Sequence, residues 1–413
     1  MPCRVDVLPP AVGHSEAHLM ARSLAGATQD EVRQHNLASV LRLVHLRGSL
    51  SRSEISAATG LNRSTVGALI SNLAASGLVF EHQPEDRTVG RPSHVVAITD
   101  GRVYVIAVNV AVERTEVALV EMGGKIRARA IIEHPDGDTP ENVAHNIKKL
   151  ARSLQSSLPK RAMCVGVGVG IPGVVRHADG FVQVAPNLEW QGIAFGKLVA
   201  KKLKTSLSVA VANDADLAAL AEHARGSSAE FTHVVTIRGD VGVGGGLIID
   251  GRLMSGAGGY GGEVGHMTVD PAGLTCRCGG RGCWETTVGE AAVCSALGLS
   301  SPAELVRPIA DTPENRKRLE PVGRWFGIGL ANIVNILNPQ AVVVAGLLAD
   351  VFPLTEDVTL EELDRAIAAS REQVTVRIAK LGSDAVIIGA AEIAFASLLE
   401  DPLGHLASIA EAS

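Results

Sequence analysis

Apolar positions in this chain follow one period up to about residue 77 and a different grammar after Gly101. Residues 1–29 mix Pro, Gly, Ser and Ala with no sustained period, which predicts a loose tail. From Asp30 onward, Leu37, Val40, Leu41 and Val44 fall at i, i+3, i+4 and i+7, one apolar face of a helix ending near Gly48. Ser51 and Glu54 then fit a capping box, which starts a short helix carrying Ile55 and Ala58 and stopped by Gly60. Asn62 caps a third helix whose buried face is Val66, Leu69, Ile70 and Leu73 and whose end is Gly77. The next stretch, "LVFEHQPEDRTVGRPSHVVAIT", holds two β-rich runs around a polar Pro/Gly segment and reads as a hairpin wing.

Strand-like runs at 103–110, 115–122 and 125–132 precede a helix from Pro140 to about Leu154, capped by Thr139 with Pro140 at the first helical position. Short β-branched runs follow at 164–169, 208–212, 232–237 and 243–249, and helical periods at 214–225, 314–337, 354–371 and 385–399. Pro321 is expected to break or kink the longest of these. Two successive groups of strands with helices predict an α/β chain of two lobes, with a cleft that suits a ligand. The expected division is a tail (1–29), a winged helix-turn-helix domain (30–99), a first lobe (100–215) and a second lobe (216–413).

Composition narrows the classes. A length of 413 residues sets a soft prior of two to three domains, and 46% apolar with 20% charged residues is the balance of a folded globular chain, which excludes disorder. No apolar run approaching ~18 residues stands out and the N-terminus lacks the pattern of a signal peptide, so the expected location is the cytoplasm, away from any membrane. The net charge of −6 is unevenly spread: residues 33–80 carry five arginines (33, 42, 47, 52 and 63) against the single acid Glu54. An acidic body therefore bears a basic head.

That head supports nucleic-acid binding. The segment "LSRSEISAATGLNRSTVGALISNLAASGLV" has the order of a helix-turn-helix, and a helix entering the major groove reads bases through its first turn. Asn62, Arg63, Ser64 and Thr65 occupy that turn and can donate to base edges and phosphates; Arg52 lies at the start of the preceding helix. In "GRPS", Arg91 is placed to reach a narrow minor groove.

The second chemical cluster lies in "GGEVGHMTVDPAGLTCRCGGRGCWE". His266, Cys276, Cys278 and Cys283 supply one imidazole and three sulfurs, the donor set of a closed tetrahedral structural zinc site, and Gly279, Gly280 and Gly282 permit the tight turns that bring thiolates together. The C-x-C spacing differs from the C-x-x-C of a redox dithiol. Cys3, Cys164 and Cys294 read as ordinary small residues. A third group, Asn187, Asn213, Asp214, Glu263, His266 and Glu285, stands at turns and strand ends; such side chains, converging, suit the paired donor and acceptor character of a polyol's hydroxyls. Singly, each is more often a cap or turn residue.

With the basic head in front, "GIPG", "APNLEW", "NDAD", "GEVGH" and "CRCGGRGCWE" resemble the ROK family of bacterial sugar-responsive repressors and sugar kinases over nearly all of residues 33–400. Because family kinases usually lack the DNA-binding head, the chain looks like the repressor branch. The resemblance implies an actin-like, hexokinase-like pair of RNase H-like lobes, usually assembled as a homodimer or homotetramer. It implies that Asn187, Asn213, Asp214, Glu263, His266 and Glu285 face a sugar, and that His266, Cys276, Cys278 and Cys283 hold Zn2+, His266 serving both.

Two departures bear on activity. Family kinases carry an Asp-x-Gly-Gly-Thr phosphate loop where this chain reads "VNVAVERT", so Asn109 stands for the acid and Ala111, Val112 and Glu113 fill the glycine and threonine positions. In "RGDVGVGGG", Asp240 and Val241 replace the Gly and Thr of the second phosphate turn. Phosphate loops need glycines for close backbone approach, and a carboxylate there repels the nucleotide. Asp214 is left as a vestigial general-base position with no phosphoryl donor to act on. The expected function is thus a transcriptional repressor binding an inverted-repeat double-stranded operator, with a sugar or sugar derivative as effector and no kinase activity. The alternatives are a sugar kinase with a DNA-binding head, or a regulator whose body answers to a protein partner.

Overall fold

The computed structural model describes residues 28–83, 94–134, 137–159 and 161–412. The head comprises helices α1 (Gln29–Arg47), α2 (Arg52–Thr59) and α3 (Arg63–Ala75), with strands β1 (Leu50–Ser51), β2 (Val79–His82) and β3 (Val95–Ile98) paired antiparallel in the order β1-β3-β2. Each helix begins where a side chain can satisfy its open amides. Thr28 and Glu31 form a capping box on α1, Ser51 and Glu54 form one on α2, and Asn62 Oδ1 accepts from Thr65 N at 2.9 Å on α3. All the apolar residues assigned to the α1 and α3 faces are buried, with Ile55 from α2, whereas Ala58 stays exposed. The tip of the wing, with Arg91, lies outside the described residues.

The body is built twice on one plan. Strands β4 (Val103–Val110), β5 (Arg114–Glu121) and β6 (Lys125–Glu133) form an antiparallel meander; helix α4 (Pro140–Gln155) follows, and β7 (Met163–Ile171) adds parallel to β4. A small antiparallel sheet of β8 (Val174–Arg176), β9 (Phe181–Ala185) and β10 (Trp190–Ile193) comes next, then α5 (Phe195–Leu203) and β11 (Val209–Asn213), which pairs parallel with β7. Helix α6 (Asp214–Arg225) leads to the second sheet. There β12 (Val234–Gly239), β13 (Val243–Ile249) and β14 (Arg252–Leu253) form the meander, and β15 (Ala341–Gly346) and β16 (Thr375–Ile378) add in parallel. The orders β6-β5-β4-β7-β11 and β14-β13-β12-β15-β16 are the same topology, as expected for two RNase H-like lobes. Between β14 and β15 run the 3-10 turn Val264–His266, α7 (Glu285–Val288), α8 (Glu290–Leu297) and α9 (Pro313–Leu337); α10 (Leu347–Leu363) and α11 (Ala368–Arg371) precede β16, and α12 (Ala385–Glu400) and α13 (Pro402–Ala412) end the chain.

Packing does not follow chain order. Helix α6 lies on β12 and β13 of the second sheet, while α12 returns to cover β4, β7 and β11 of the first, so the division at 215/216 assigns the last helices to the wrong lobe. The two helices pack on each other where the lobes meet. Pro321 does not break α9: it lies on the exposed side, where the carbonyl it leaves unpaired can be hydrated. The expected helix at 354–371 begins instead at Leu347, runs through Pro353, and is separate from α11. Residues 382–400 form a helix long and apolar enough for a bilayer, contrary to the sequence expectation, and 67% of that window is buried inside the fold. The small β8–β10 sheet carried no clear alternation and was not expected.

Candidate effector cleft, metal centre and DNA-reading head

At the end of β11, Asn213 terminates a strand and caps α6. Its Oδ1 accepts from Ala215 N at 2.8 Å and Asp216 N at 3.3 Å, and its Nδ2 donates to Gly173 O at 3.0 Å. The side chain thus ties the α6 N-terminus to the turn after β7. Asp214, in the first turn of α6, has Arg238 Nε 4.0 Å from its Oδ2; burial raises its carboxyl above the usual range, with Arg238 opposing and Asp240 reinforcing the shift. Glu263 opens the Val264–His266 turn and stands 3.8 Å from His266 Nε2. Burial again raises its carboxyl, which His266 opposes and Asp214 and Glu285 reinforce. A small cavity of about 10 Å³, room for one water, lies between Gly173, Val175 and Asn213 on one side and Gly244, Gly245 and Gly262 on the other.

Sequence reasoning missed Asp216, which lines this cavity. It is 6% exposed, and its Oδ1 has no hydrogen-bond partner among the described residues. Burial, with Glu263 and Asp214 nearby, pushes its carboxyl up to about 7. The available signal was its place two residues after Asp214 in "NDAD".

The four proposed metal ligands converge: one donor atom from each of His266, Cys276, Cys278 and Cys283 lies within 4.8 Å of all the others. Cys276 Sγ is 3.7 Å from His266 Nδ1, and Cys278 Sγ is 3.6 Å from Cys283 Sγ. Zn–S bonds of about 2.3 Å in a tetrahedron separate sulfurs by about 3.8 Å, so the spacing fits that ion. Backbone amides of Cys278 and Gly280 donate to the sulfurs of Cys276 and Cys278, and the Gly280 amide lowers the Cys278 thiol's pKa. The loop requires its glycine at 282: at φ +69° a side chain there would collide with Asp270 O. His266 turns Nδ1 to the thiolates and Nε2 to Glu263, which lets one imidazole serve both sites.

Glu285 lies behind the cysteine sulfurs, its Oε1 accepting from the Cys276 thiol at 2.9 Å and its Oε2 from Val243 N at 3.3 Å. Asn187 meets the metal loop through Arg277, whose Nη1 donates to Asn187 Oδ1 at 2.8 Å. The loop is thereby joined to the first lobe's small sheet. Gln183 Nε2, bonded to Tyr260 OH at 2.9 Å, makes a second such bridge.

In the head, Arg63 and Ser64 are exposed at the start of α3, Thr65 is half-buried, and Asn62 accepts from Ser64 Oγ at 2.7 Å as well as capping the helix. Arg52 is already engaged. Its Nε and Nη2 donate to both carboxylate oxygens of Glu81 on β2, each at 2.6 Å.

At the first phosphate position, Asn109 is a β4 residue paired with Glu116, and the bend holding Ala111, Val112 and Glu113 is closed by Ala111 N donating to Arg114 O at 2.9 Å. At the second, Asp240 N donates to Gly242 O, and the Asp240 carboxylate faces Arg238 and Arg307. Both turns therefore carry an acid, Glu113 at the first and Asp240 at the second, where Asp240 faces two guanidiniums.

The ROK family model matches residues 105–397. The chain belongs to the ROK family. The xylose repressor of Bacillus subtilis strain 168 is 26% identical over 381 residues, which cover 91% of this chain and 98% of that one. A solved ROK family transcriptional regulator, described as a homologue of the E. coli MLC protein, superposes with a TM-score of 0.74 at 23% identity, covering 92% of this chain and 99% of its own, and shows a shared fold. A ROK family glucokinase from Streptomyces griseus, solved with glucose and AMPPNP, has a TM-score of 0.61 at 26% identity and covers 70% of this chain and 99% of its own. The xylose repressor and the transcriptional regulator thus match a larger share of this chain than the glucokinase.

Proposed function

We infer that this ROK protein is a sequence-specific DNA-binding repressor whose body binds a sugar or sugar derivative and does not phosphorylate it. The observation that carries the reading is the union of a capped helix-turn-helix head with a ROK body whose two phosphate turns hold Glu113 and Asp240. Asp214 and Glu263, from α6 and from the turn before His266, grip the effector, with His266 and Glu285 behind them. Zn2+ held by His266, Cys276, Cys278 and Cys283 fixes the loop bearing those groups; three thiolates and one imidazole leave no open position, so its part is structural. The protein acts in the cytoplasm as a homodimer or homotetramer, whose paired recognition helices fit an inverted-repeat operator.

The test is genome-wide mapping of bound operators, followed by operator affinity at one fixed salt concentration with and without D-xylose, D-glucose and N-acetylglucosamine. One of these sugars should weaken operator binding, and Asp214→Ala and Glu263→Ala should keep DNA binding while losing the response. Mutants that respond as fully as wild type place the effector elsewhere.

A further inference from the structure

The head is joined to the body by a buried polar junction at the far end of the helix that starts in the effector cleft. Helix α6 begins at Asp214 and ends eleven residues later at Arg225, about 16.5 Å away at 1.5 Å per residue. Arg225 Nε donates to Glu392 Oε1 on α12 at 2.9 Å, and Nη1 donates to the carbonyl of His45 on the head helix α1 at 3.1 Å. His45 is fully buried, edge-on to Phe395 of α12. Its Nδ1 accepts from the Gly123 amide in the β5–β6 turn at 3.0 Å. A backbone amide can only donate, so Nδ1 is an acceptor, and Nε2 lies between Glu392 Oε2 at 3.0 Å and Arg225 Nη2 at 2.7 Å. A side chain at Gly124, φ +78°, would strike the Arg225 guanidinium.

Four elements meet here, and they belong to different bodies. His45 comes from the head, the Gly123 turn and Glu392 from elements on the first sheet, and Arg225 from a helix lying on the second. Burial raises the Glu392 carboxyl's pKa, but the His45 bond and Arg225 outweigh it and leave the group below its usual value. A carboxylate buried this way depends on its partners, so the junction resists being half broken. Along the same helix, Leu217 O sits so near Gly389 that no side chain could intervene. Arg225 is the charged group on α6 that reaches both α12 and the head across this seam.

We propose that Arg225 is the positioning residue through which lobe closure reaches the DNA-binding head, by pulling on Glu392 and the His45 carbonyl. This rests on the sugar-effector reading above, and the experiment separates the two. Operator affinity and sugar affinity are measured on the full chain for wild type, Arg225→Met and Arg225→Lys, with D-xylose, D-glucose and N-acetylglucosamine. In wild type the active sugar should weaken operator binding about fivefold or more. Arg225→Met should bind that sugar within about twofold of wild type and show operator affinity indifferent to it; Arg225→Lys, which keeps a cation for Glu392, should recover part of the response. A full response in Arg225→Met overturns the proposal. If no sugar alters wild-type operator binding, the effector reading fails, and hydrogen exchange decides the junction on its own. The Gly123 amide should exchange on the order of tenfold faster in Arg225→Met while the Leu69 amide in the head core is unchanged. Equal Gly123 rates in the two proteins overturn the proposal.

Discussion

Asp240 Oδ2 lies 2.6 Å from Arg238 Nη2, and its other oxygen lies 3.6 Å from Arg307, so a carboxylate of the chain itself occupies two guanidiniums beside the second phosphate turn. A nucleotide phosphate would have to displace that carboxylate and then meet Glu113 and Glu290, whose raised pKa reflects burial first and then Asp240 and Glu113. ATP-dependent phosphorylation of D-glucose, D-xylose or N-acetylglucosamine should therefore stay at background in a coupled assay. Clear turnover on any of them counts against the repressor reading of these turns.

Arg63 and Arg52 should behave differently on DNA. Arg63→Ala should cost about 1–3 kcal/mol at the cognate operator and relax base preference, as removal of a base contact does. Arg52 is held by Glu81 in a pair whose side chains are 43% and 25% exposed, so its part is to brace α2 against the wing, at up to about 1 kcal/mol of head stability. The check is the salt dependence of binding. Arg52→Ala should leave the slope of log affinity against log salt unchanged, whereas loss of a phosphate contact would reduce it by about one.

Zinc should be present at one ion per chain. Cys278→Ser should lower the metal content measured by elemental analysis and free the segment from His266 to Cys283, raising its hydrogen exchange while the α1–α3 core of the head stays protected. Protein purified without chelator and free of zinc would refute the assignment of these four ligands.

Asp216 predicts a pH effect. Its carboxyl is at about 7 in the folded chain and near 3.9 when unfolded. Because the folded value is the higher, the folded state binds the extra proton between the two. The associated stability is fully present below the unfolded value and is lost as pH rises through about 7, roughly 4 kcal/mol in all. Asp216→Asn should therefore flatten the stability profile between pH 5 and pH 8. At pH 8 it should gain about 2 kcal/mol, less than the full linkage because the buried amide also lacks partners. Denaturant unfolding across that range reads the effect; parallel profiles for the two proteins would show that Asp216 is charged throughout.

Local signals carried much of this molecule. The caps at Ser51 and Asn62 and the i, i+3, i+4 spacing of Val66, Leu69, Ile70 and Leu73 set the head's helices, because capping and amphipathic burial act within a few residues. The metal ligands were equally legible: three of the four sit within eight residues, and glycines between them leave few ways to fold the loop. Asn187 was singled out as a candidate, but its bond to Arg277, 90 residues on, gave no sign in the sequence.

What tertiary structure alone decided are relationships between distant segments. Nothing near residue 385 indicates that α12 crosses back to the first sheet, since its apolar surface would suit either lobe; the choice follows from which sheet was left uncovered. The same holds for the pairing of Arg52 with Glu81, 29 residues on, which only the packed head brings to 2.6 Å. His45, Arg225 and Glu392 are separated by 180 and 167 residues and have no motif. Short-range physics writes itself into sequence as period and spacing, whereas a buried charge finds its partner only after the chain has packed, and that pairing is a property of the whole fold.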